Sequence, residues 1–332
     1  MRLEACNLEF GVWSLEFGAW SLEFGVWSLE LAASFSTFAI MIQYDEPLFR
    51  PPSEAYSFIL QVTLGCAWNK CAFCEMYSSK QFHTRKEEDI FADIDSMQPY
   101  ANHYRKVFLA DGNAMVLSFD KLSRILDKLN EKFPRLTRVS AYALPKDIEA
   151  KTDEELQQLA AKGLKLLYVG IESGDDELLG RINKSENYES TAMALKRARA
   201  AGIKLSVMIL NGLGGKNYSH QHALNSAKVV NEIQPEFLST LVLSYPYDED
   251  HFAKKFDGEF IPLNTIELIA EMKVFIENLE LESTVFRSDH ASNYLVLRGN
   301  FPRDKQEMLN RINAVLDDPA NAKLREEWMR GL

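Results

Sequence analysis

The chain has few cysteines, no excess of basic residues and no linker rich in glycine, serine or proline. Only four of its 332 residues are cysteine, which excludes a disulfide-stabilised scaffold. Its 48 acidic residues outnumber 37 lysines and arginines, and the resulting net charge of -11 argues against general binding to nucleic acids or anionic membranes. The composition is otherwise that of a globular protein, with 46% apolar residues, and the missing linker favours one domain.

The amino terminus consists of near-identical seven-residue units at 8–14, 15–21 and 22–28. Each unit carries a glycine, which costs a helix about 1 kcal/mol, and an odd period reverses the faces of a strand at every repeat. A glutamate in every unit excludes a membrane span. We interpret residues 1–40 as a repeat-derived, unstructured extension upstream of an initiator at Met41. The alternative is a genuine but poorly ordered tail.

From residue 56 onward, short apolar segments alternate with amphipathic ones. The predicted strands cover 56–64, 106–110, 138–144, 164–171, 203–210 and 237–243. The predicted helices cover 118–133, 152–163, 190–201 and 265–279, and Thr152 with Glu155 forms a capping box. Most strands are apolar on both faces, which is typical of a parallel sheet covered by helices.

Six β/α units predict an α/β fold, a partial (β/α)6 TIM-like barrel over residues 41–280. Residues 281–332 are predicted to form a C-terminal α/β extension, with a short strand near Val285 and a final helical stretch over 303–330. Ligands of such folds gather at the carboxyl ends of the strands. Those ends fall at 65–74, 111–113, 145–146, 172–174, 211–215 and 244–247.

Three of the four cysteines lie in the segment that follows the first predicted strand. Cys66, Cys71 and Cys74 have the spacing C-x4-C-x2-C in the sequence TLGCAWNKCAFCEMY. Three thiolates can hold three irons of a 4Fe-4S cluster and leave the fourth iron open for a ligand. The alternative is a closed zinc site made by the same cysteines and His83, in a binding protein without radical chemistry.

This loop, its position after the first strand and the six β/α units resemble the radical S-adenosylmethionine superfamily, although its commonest spacing is C-x3-C-x2-C. The resemblance covers about residues 56–245. It implies that the three cysteines bind a 4Fe-4S cluster whose open iron chelates S-adenosylmethionine. One electron, from a flavodoxin or ferredoxin, then yields a 5'-deoxyadenosyl radical that abstracts a substrate hydrogen.

The resemblance also implies contacts to S-adenosylmethionine. Phe73 corresponds to an aromatic residue beside the adenine, and 111–113 stand where many members have Gly-Gly-Glu. The run 170–174, GIESG, resembles the branch of oxygen-independent coproporphyrinogen oxidase, and 211–215 resemble a glycine-bearing run near the adenine. The implied cofactor contacts are Phe73, Asp111, Gly112, Asn113, Glu172, Ser173, Asn211 and Gly212.

Residues 288–295, SDHASNYL, concentrate polar side chains after the strand near Val285. Similar His-Ala-Ser-Asn runs occur in proteins of this type, so His290 and Asn293 are predicted to face the substrate, with Tyr245 as a weaker candidate. The alternative is a polar turn that caps the open barrel edge. His220 and His222 are predicted to be exposed.

Two features that the sequence lacks reduce the number of branches of the radical S-adenosylmethionine superfamily that it could resemble. Cys6 is the only cysteine outside the loop, so there is no second cysteine group for an auxiliary cluster, which argues against a methylthiotransferase. No D-x-H-x-x-G string for cobalamin occurs. We therefore expect a cytoplasmic enzyme that acts on a small molecule or a peptide, without nucleic-acid or membrane binding.

Overall fold

A computed structural model describes residues 42–330 of the chain. The interpretation of residues 1–40 as a repeat-derived extension lies outside the described residues. Within them, no helix is long and apolar enough to cross a bilayer.

The fold is built on one large sheet with a small two-stranded sheet beside it. The strands are β1 (Phe58–Gln61), β2 (Thr63–Leu64), β3 (His83–Thr84), β4 (Lys106–Ala110), β5 (Arg138–Tyr142), β6 (Leu164–Glu172), β7 (Lys204–Asn211), β8 (Phe237–Val242), β9 (Thr284–Ser288) and β10 (Leu297–Phe301). The large sheet has the order β1-β4-β5-β6-β7-β8-β9-β10, and β2 pairs with β3.

Six parallel strands from β1 to β8 confirm the predicted α/β sheet. The sheet continues beyond them, because β9 pairs parallel to β8 and β10 pairs antiparallel to β9. The strand predicted near Val285 is β9, whereas β10 escaped prediction because its sequence, LRGNF, contains a glycine and two strongly polar residues. No pairing joins β1 to β10 within residues 42–330, so the barrel is partial.

Helices cover one face of the sheet. They are α1 (Glu87–Ser96), α2 (Phe119–Lys132), α3 (Pro145–Glu149), α4 (Asp153–Ala161), α5 (Asp176–Arg181), α6 (Tyr188–Ala200), α7 (Gly215–Ile233), α8 (Glu249–Lys255), α9 (Thr265–Glu277) and α10 (Lys305–Asp317). The capping box that begins α4 is confirmed, since Thr152 Oγ1 accepts from the Glu155 amide at 3.1 Å and Glu155 Oε2 accepts from the Thr152 amide at 2.8 Å.

The predicted helix over 303–330 is only half correct. Helix α10 ends at Asp317, and Pro319 begins a short 3-10 turn. Proline has no amide hydrogen to donate and disfavours a helical conformation in the residue before it, which explains the early end. Residues 318–330 instead run back towards the turn after β9, where the Arg325 amide donates to the Tyr294 carbonyl at 2.9 Å.

The opposite, inner face of the sheet is partly covered by the amino-terminal segment 42–57. Tyr44 and Leu48 pack there against Ile59 and Phe108, and Tyr44 Oη donates to the Ile59 carbonyl at 2.8 Å. Further along, the buried Glu54 carboxylate accepts from Tyr168 Oη at 2.6 Å. This segment therefore covers the inner face mainly at β1, β4, β5 and the start of β6.

Candidate active site

The three cysteines lie on the loop that follows β2, at the carboxyl edge of the sheet. Cys66, Cys71 and Cys74 are half-buried and form no disulfide. Burial raises the pKa of Cys71 to about 12, opposed by the positive charge of Lys184 and reinforced by Cys74. Burial also raises the pKa of Cys74. The thiols thus lie close enough to affect one another, and metal binding would have to displace their protons.

This cysteine loop is held by the connection between α5 and α6. The Ala72 amide donates to the Ile182 carbonyl at 2.9 Å, and the Trp68 indole donates to the Asn183 carbonyl at 2.7 Å. In return the Asn183 side chain donates to the Lys70 carbonyl at 3.2 Å. The loop conformation therefore depends on a segment more than a hundred residues away in sequence.

Gly112 lets the cysteine loop approach the end of β4. A Cβ atom at this position would lie 3.1 Å from the Cys66 Cβ atom and 3.0 Å from the Gly65 carbonyl oxygen. The Gly112 amide also donates to that carbonyl at 3.2 Å. A larger residue at position 112 would therefore force its neighbours on the cysteine loop to shift slightly.

Asp111 anchors the same loop through its fully buried carboxylate. Its Oδ2 atom accepts from the Gly65 amide at 3.1 Å and pairs with Lys80 Nζ at 2.9 Å, while Oδ1 accepts from Gln61 at 3.1 Å. The Asn113 side chain is also engaged, because it donates to Asp147 and accepts from the Leu144 amide. The structure thus directs both side chains into protein contacts, and their predicted contacts to S-adenosylmethionine stay predictions.

Glu172 lies at the end of β6 with a positive φ of 68°. Its side chain folds back over Gly170, where a Cβ atom would lie 2.0 Å from Glu172 Oε1, so a larger residue at position 170 would have to displace the Glu172 carboxylate. Burial raises the pKa of Glu172, and Lys184 opposes that shift. Its Oε2 atom has no hydrogen-bond partner within residues 42–330.

Lys184 is a site residue that the sequence analysis missed. Its side chain is only 7% exposed, and Nζ donates to the Gly170 carbonyl at 2.9 Å and lies 6.0 Å from the Phe73 ring centroid. In the described part of the chain, both carboxyl oxygens of the neighbouring buried Glu186 lack a partner. No motif marks Lys184, because charged residues after a short helix are usually solvated; only its burial reveals it.

The charged side chains near the cysteine loop fit a 4Fe-4S cluster with bound S-adenosylmethionine better than they fit a zinc ion. Unpartnered carboxyl oxygens at Glu172 and Glu186 suit an ammonium group, and Lys184 suits a carboxylate. His83 is exposed, and its ring lies 3.1 Å from the Gln81 carbonyl. Across residues 42–330, no three His, Cys, Asp or Glu side chains converge on one metal-ion position. A 4Fe-4S cube needs no such convergence, because each thiolate binds a different iron.

A buried polar network links the loops after β6 and β7. Ser173 Oγ and His222 Nδ1, on α7, are 2.8 Å apart. His222 Nε2 lies 4.0 Å from Glu271 Oε1, on α9, and this oxygen accepts from the Gly212 amide at 2.6 Å. The predicted exposure of His222 is wrong: it is 1% exposed, because α7 turns this face towards β6 and α9. His220 is exposed as predicted.

Burial governs the protonation of this network. It lowers the pKa of His222 to about 4 and raises that of Glu271 to about 7. His222 is therefore neutral at pH 7. The Asp175 amide donates to Ser173 Oγ at 3.0 Å, which leaves the serine hydroxyl free to donate to Nδ1. His222 of α7 thus holds the Ser173 side chain in place, and Glu271 of α9 holds the Gly212 amide. Asn211, which precedes Gly212, is buried.

Of the three predicted substrate residues, His290 and Asn293 share the turn after β9, where the Asn293 amide donates to the His290 carbonyl at 3.1 Å, whereas Tyr245 follows β8. His290 is exposed, with Nδ1 2.9 Å from Ser292 Oγ. Asn293 is buried and donates to the Thr240 carbonyl at 2.9 Å, so it ties its turn to β8. Tyr245 packs against Phe252 and Phe260, in a cluster that also contains Ala72 and Phe73 of the cysteine loop.

Comparison with known proteins identifies the family. The model of the radical SAM superfamily matches residues 60–227. The heme chaperone HemW of Bacillus subtilis is 23% identical over 164 residues, 49% of this chain and 42% of that protein. A putative methylthiotransferase of Methanocaldococcus jannaschii is 24% identical over 231 residues, 64% of this chain and 49% of that protein. The chain thus spans less than half the length of these relatives.

A solved structure supports the fold. The coproporphyrinogen III oxidase HemN of Escherichia coli superposes with a TM-score of 0.52 at 20% identity, over 67% of this chain and 52% of that one. This likeness confirms the partial-barrel architecture. Since the family match spans half of the chain, the protein belongs to the radical SAM superfamily, whose enzymes use a 4Fe-4S cluster and S-adenosylmethionine.

Proposed function

We propose that the protein is an enzyme in which Cys66, Cys71 and Cys74 bind a 4Fe-4S cluster with S-adenosylmethionine at its open iron. When bound, this pair supplies reductive cleavage of the sulfonium and thereby abstraction of a hydrogen atom from a substrate. The observation that carries the proposal is the buried Lys184 ammonium, which lies 6.0 Å from the ring centroid of Phe73 on the loop of free cysteines and 3.9 Å from the Glu172 carboxylate, one oxygen of which has no partner among residues 42–330.

The charged side chains would bind the amino-acid end of S-adenosylmethionine. Lys184 would attract its carboxylate, and Glu172 or Glu186 would accept hydrogen bonds from its ammonium group. These buried charges have lost most of their hydration, so a ligand of matching charges restores what burial removed. Phe73, 6.0 Å from Lys184 Nζ, offers an apolar ring beside the same position.

The loops after β6 and β7 would hold the adenosine end. Ser173 and Gly212 are fixed by His222 and Glu271, as described above. A pre-positioned loop loses little conformational entropy when a ligand binds, which favours affinity.

An aromatic cap would exclude water from the site. Tyr245, Phe252, Phe256 and Phe260 pack together in the segment around α8, against the cysteine loop. The loop residue Glu75 pairs with His251 Nε2 of α8 at 2.9 Å. Exclusion of water protects reactive species from side reactions.

The proposal includes partners and a location. A flavodoxin or ferredoxin would supply the electron, and the substrate would be a small molecule or a peptide, with His290 as a candidate contact and no binding of nucleic acid. We place the enzyme in the cytoplasm, where reducing conditions preserve free thiols.

Anaerobic reconstitution tests the proposal. Wild-type protein should bind roughly four irons per chain and, with dithionite and S-adenosylmethionine, release 5'-deoxyadenosine. C71A should lose the iron and the product, whereas S78A, an exposed change on the same loop, should keep both. Protein that binds one zinc and no iron after reconstitution would refute the proposal.

A further inference from the structure

Among residues 42–330, the inner face of the sheet is only partly covered along β7, β8 and β9. Along these strands the side chains that face the helices are buried, such as Val207, Leu238 and Phe286. The alternating residues on the other face, such as Ser206 and Ser239, remain half-exposed. Segment 42–57 covers the neighbouring half of this face, at β1, β4 and β5. The uncovered half is therefore the part of the concave face that a ligand can reach.

One row of residues crosses this open face. By strand register, Gly170 of β6 lies beside Met208 of β7, Met208 beside Ser239 of β8, and Ser239 beside Arg287 of β9. Three strand spacings make this row roughly 14 Å long. Lys184 Nζ contacts the Gly170 carbonyl, so the row begins at the cofactor site and ends at Arg287.

Arg287 carries a charge that the described protein does not balance. Its guanidinium group donates to the carbonyl of the adjacent Phe286 at 2.8 Å, and it forms no ion pair within residues 42–330. The neighbouring arginine, Arg298 of β10, lies directly across in the register but pairs with Asp289 at 2.8 Å. Arg287 is thus the exposed cation of this row that is free to bind an anion.

We propose that this row, Gly170, Met208, Ser239 and Arg287, is the substrate site, and that the substrate is a small amphipathic anion. A carboxylate or phosphate group would accept two parallel hydrogen bonds from the Arg287 guanidinium. The apolar part would lie over Met208, and the Ser239 hydroxyl would serve a polar substituent. The end away from Arg287 would reach the cofactor, so the proposal rests on the proposed function.

Three probes of one shape test the site by anaerobic equilibrium dialysis against the full-length protein after reconstitution, whatever its iron content. They are 2-naphthoate, 2-naphthyl phosphate and the neutral 2-naphthalenemethanol. Both anions, or one of them, should bind more tightly than the neutral probe, and the better anion shows which acid the site prefers. R287Q should weaken anion binding roughly tenfold and leave the neutral probe unchanged.

R298Q is the matched control, because it removes the same charge one strand away from an arginine that already has a partner. It should weaken anion binding much less than R287Q does and leave the neutral probe unchanged. Equal anion and neutral affinities in wild-type protein, or equal losses in R287Q and R298Q, would overturn the proposal. If R287Q does not fold, R287K decides, since it keeps the charge but loses the two-pronged geometry and should bind the anions more weakly.

The same preparations separate this proposal from the proposed function. Iron content and 5'-deoxyadenosine formation are measured beside the dialysis. If the protein binds no iron and forms no 5'-deoxyadenosine, but R287Q still weakens anion binding, the proposed radical chemistry is refuted and the anion site is supported.

Discussion

Lys184 Nζ lies 3.9 Å from Glu172 Oε1, and both side chains are almost entirely buried beside the cysteine loop. The distance exceeds that of a close hydrogen bond, and Glu172 Oε2 has no partner among the described residues. Burial lowers the pKa of Lys184, but Glu172 and the thiols outweigh that effect, so its net pKa is raised. Each charge therefore depends on the other, and the unpartnered carboxylate oxygen is the group left to bind a charged ligand.

Removal of the lysine charge should be costly. K184M leaves the Glu172 carboxylate buried without a counter-charge and should lower the free energy of unfolding by about 3 kcal/mol at pH 8. Urea unfolding of the cluster-free protein measures this effect. E172Q/K184M should recover part of the loss, because the double variant no longer buries an unpaired charge. The control is K70M, on the exposed part of the cysteine loop, whose free energy of unfolding should stay within about 0.5 kcal/mol of wild type. Equal losses of stability in K184M and K70M would contradict the pairing of Lys184 with Glu172.

The close approach at Gly112 should make cluster loading sensitive to one methyl group. G112A places a Cβ atom 3.0 Å from the Gly65 carbonyl oxygen and 3.1 Å from the Cys66 Cβ atom. The loop must shift, and we expect reconstituted iron to fall to less than half of the wild-type content. G180A is the control, because a Cβ atom there meets nothing within 4 Å and replaces a glycine in α5. It should load normally and gain up to about 1 kcal/mol in stability. Normal loading of G112A would show that the approach is not critical.

Glu271 should make stability depend on pH. Its folded pKa of about 7 lies above its unfolded value of 4.5, so the stability it contributes is complete below pH 4.5 and is lost as the pH rises through 7. The shift corresponds to about 3 kcal/mol. E271Q does not titrate and still offers an oxygen to the Gly212 amide, so its stability relative to wild type should increase by that amount between pH 4.5 and 8.

Urea unfolding at several pH values measures this difference. The control is E267Q on the same helix, where the Glu267 side chain pairs with Lys216 near the surface and its pKa is lowered. Its stability relative to wild type should stay constant between pH 5 and 8. A constant difference for E271Q as well would mean that Glu271 is ionised in the folded protein.

Much of the architecture followed from local patterns. The strand predicted over 106–110 matches β4 exactly, and that predicted over 164–171 is one residue short of β6. The strand predicted over 56–64 is interrupted at Val62, because the chain changes its pairing partner there from β4 to β3. The exposure of His222 was mispredicted because its polar neighbours belong to the other faces of α7.

The cysteine loop and the strand pattern were enough to suggest the family by resemblance and to point to the three thiols, because spacing and periodicity are properties of short segments. Three-dimensional packing was needed to show that Lys184 is buried with Glu172 near Phe73 of the cysteine loop, that Asp111 anchors this loop and that Arg287 is exposed. Whether a charge is buried, paired or free depends on residues brought together from distant parts of the chain. The periodicity of one segment does not indicate which distant residues will contact it.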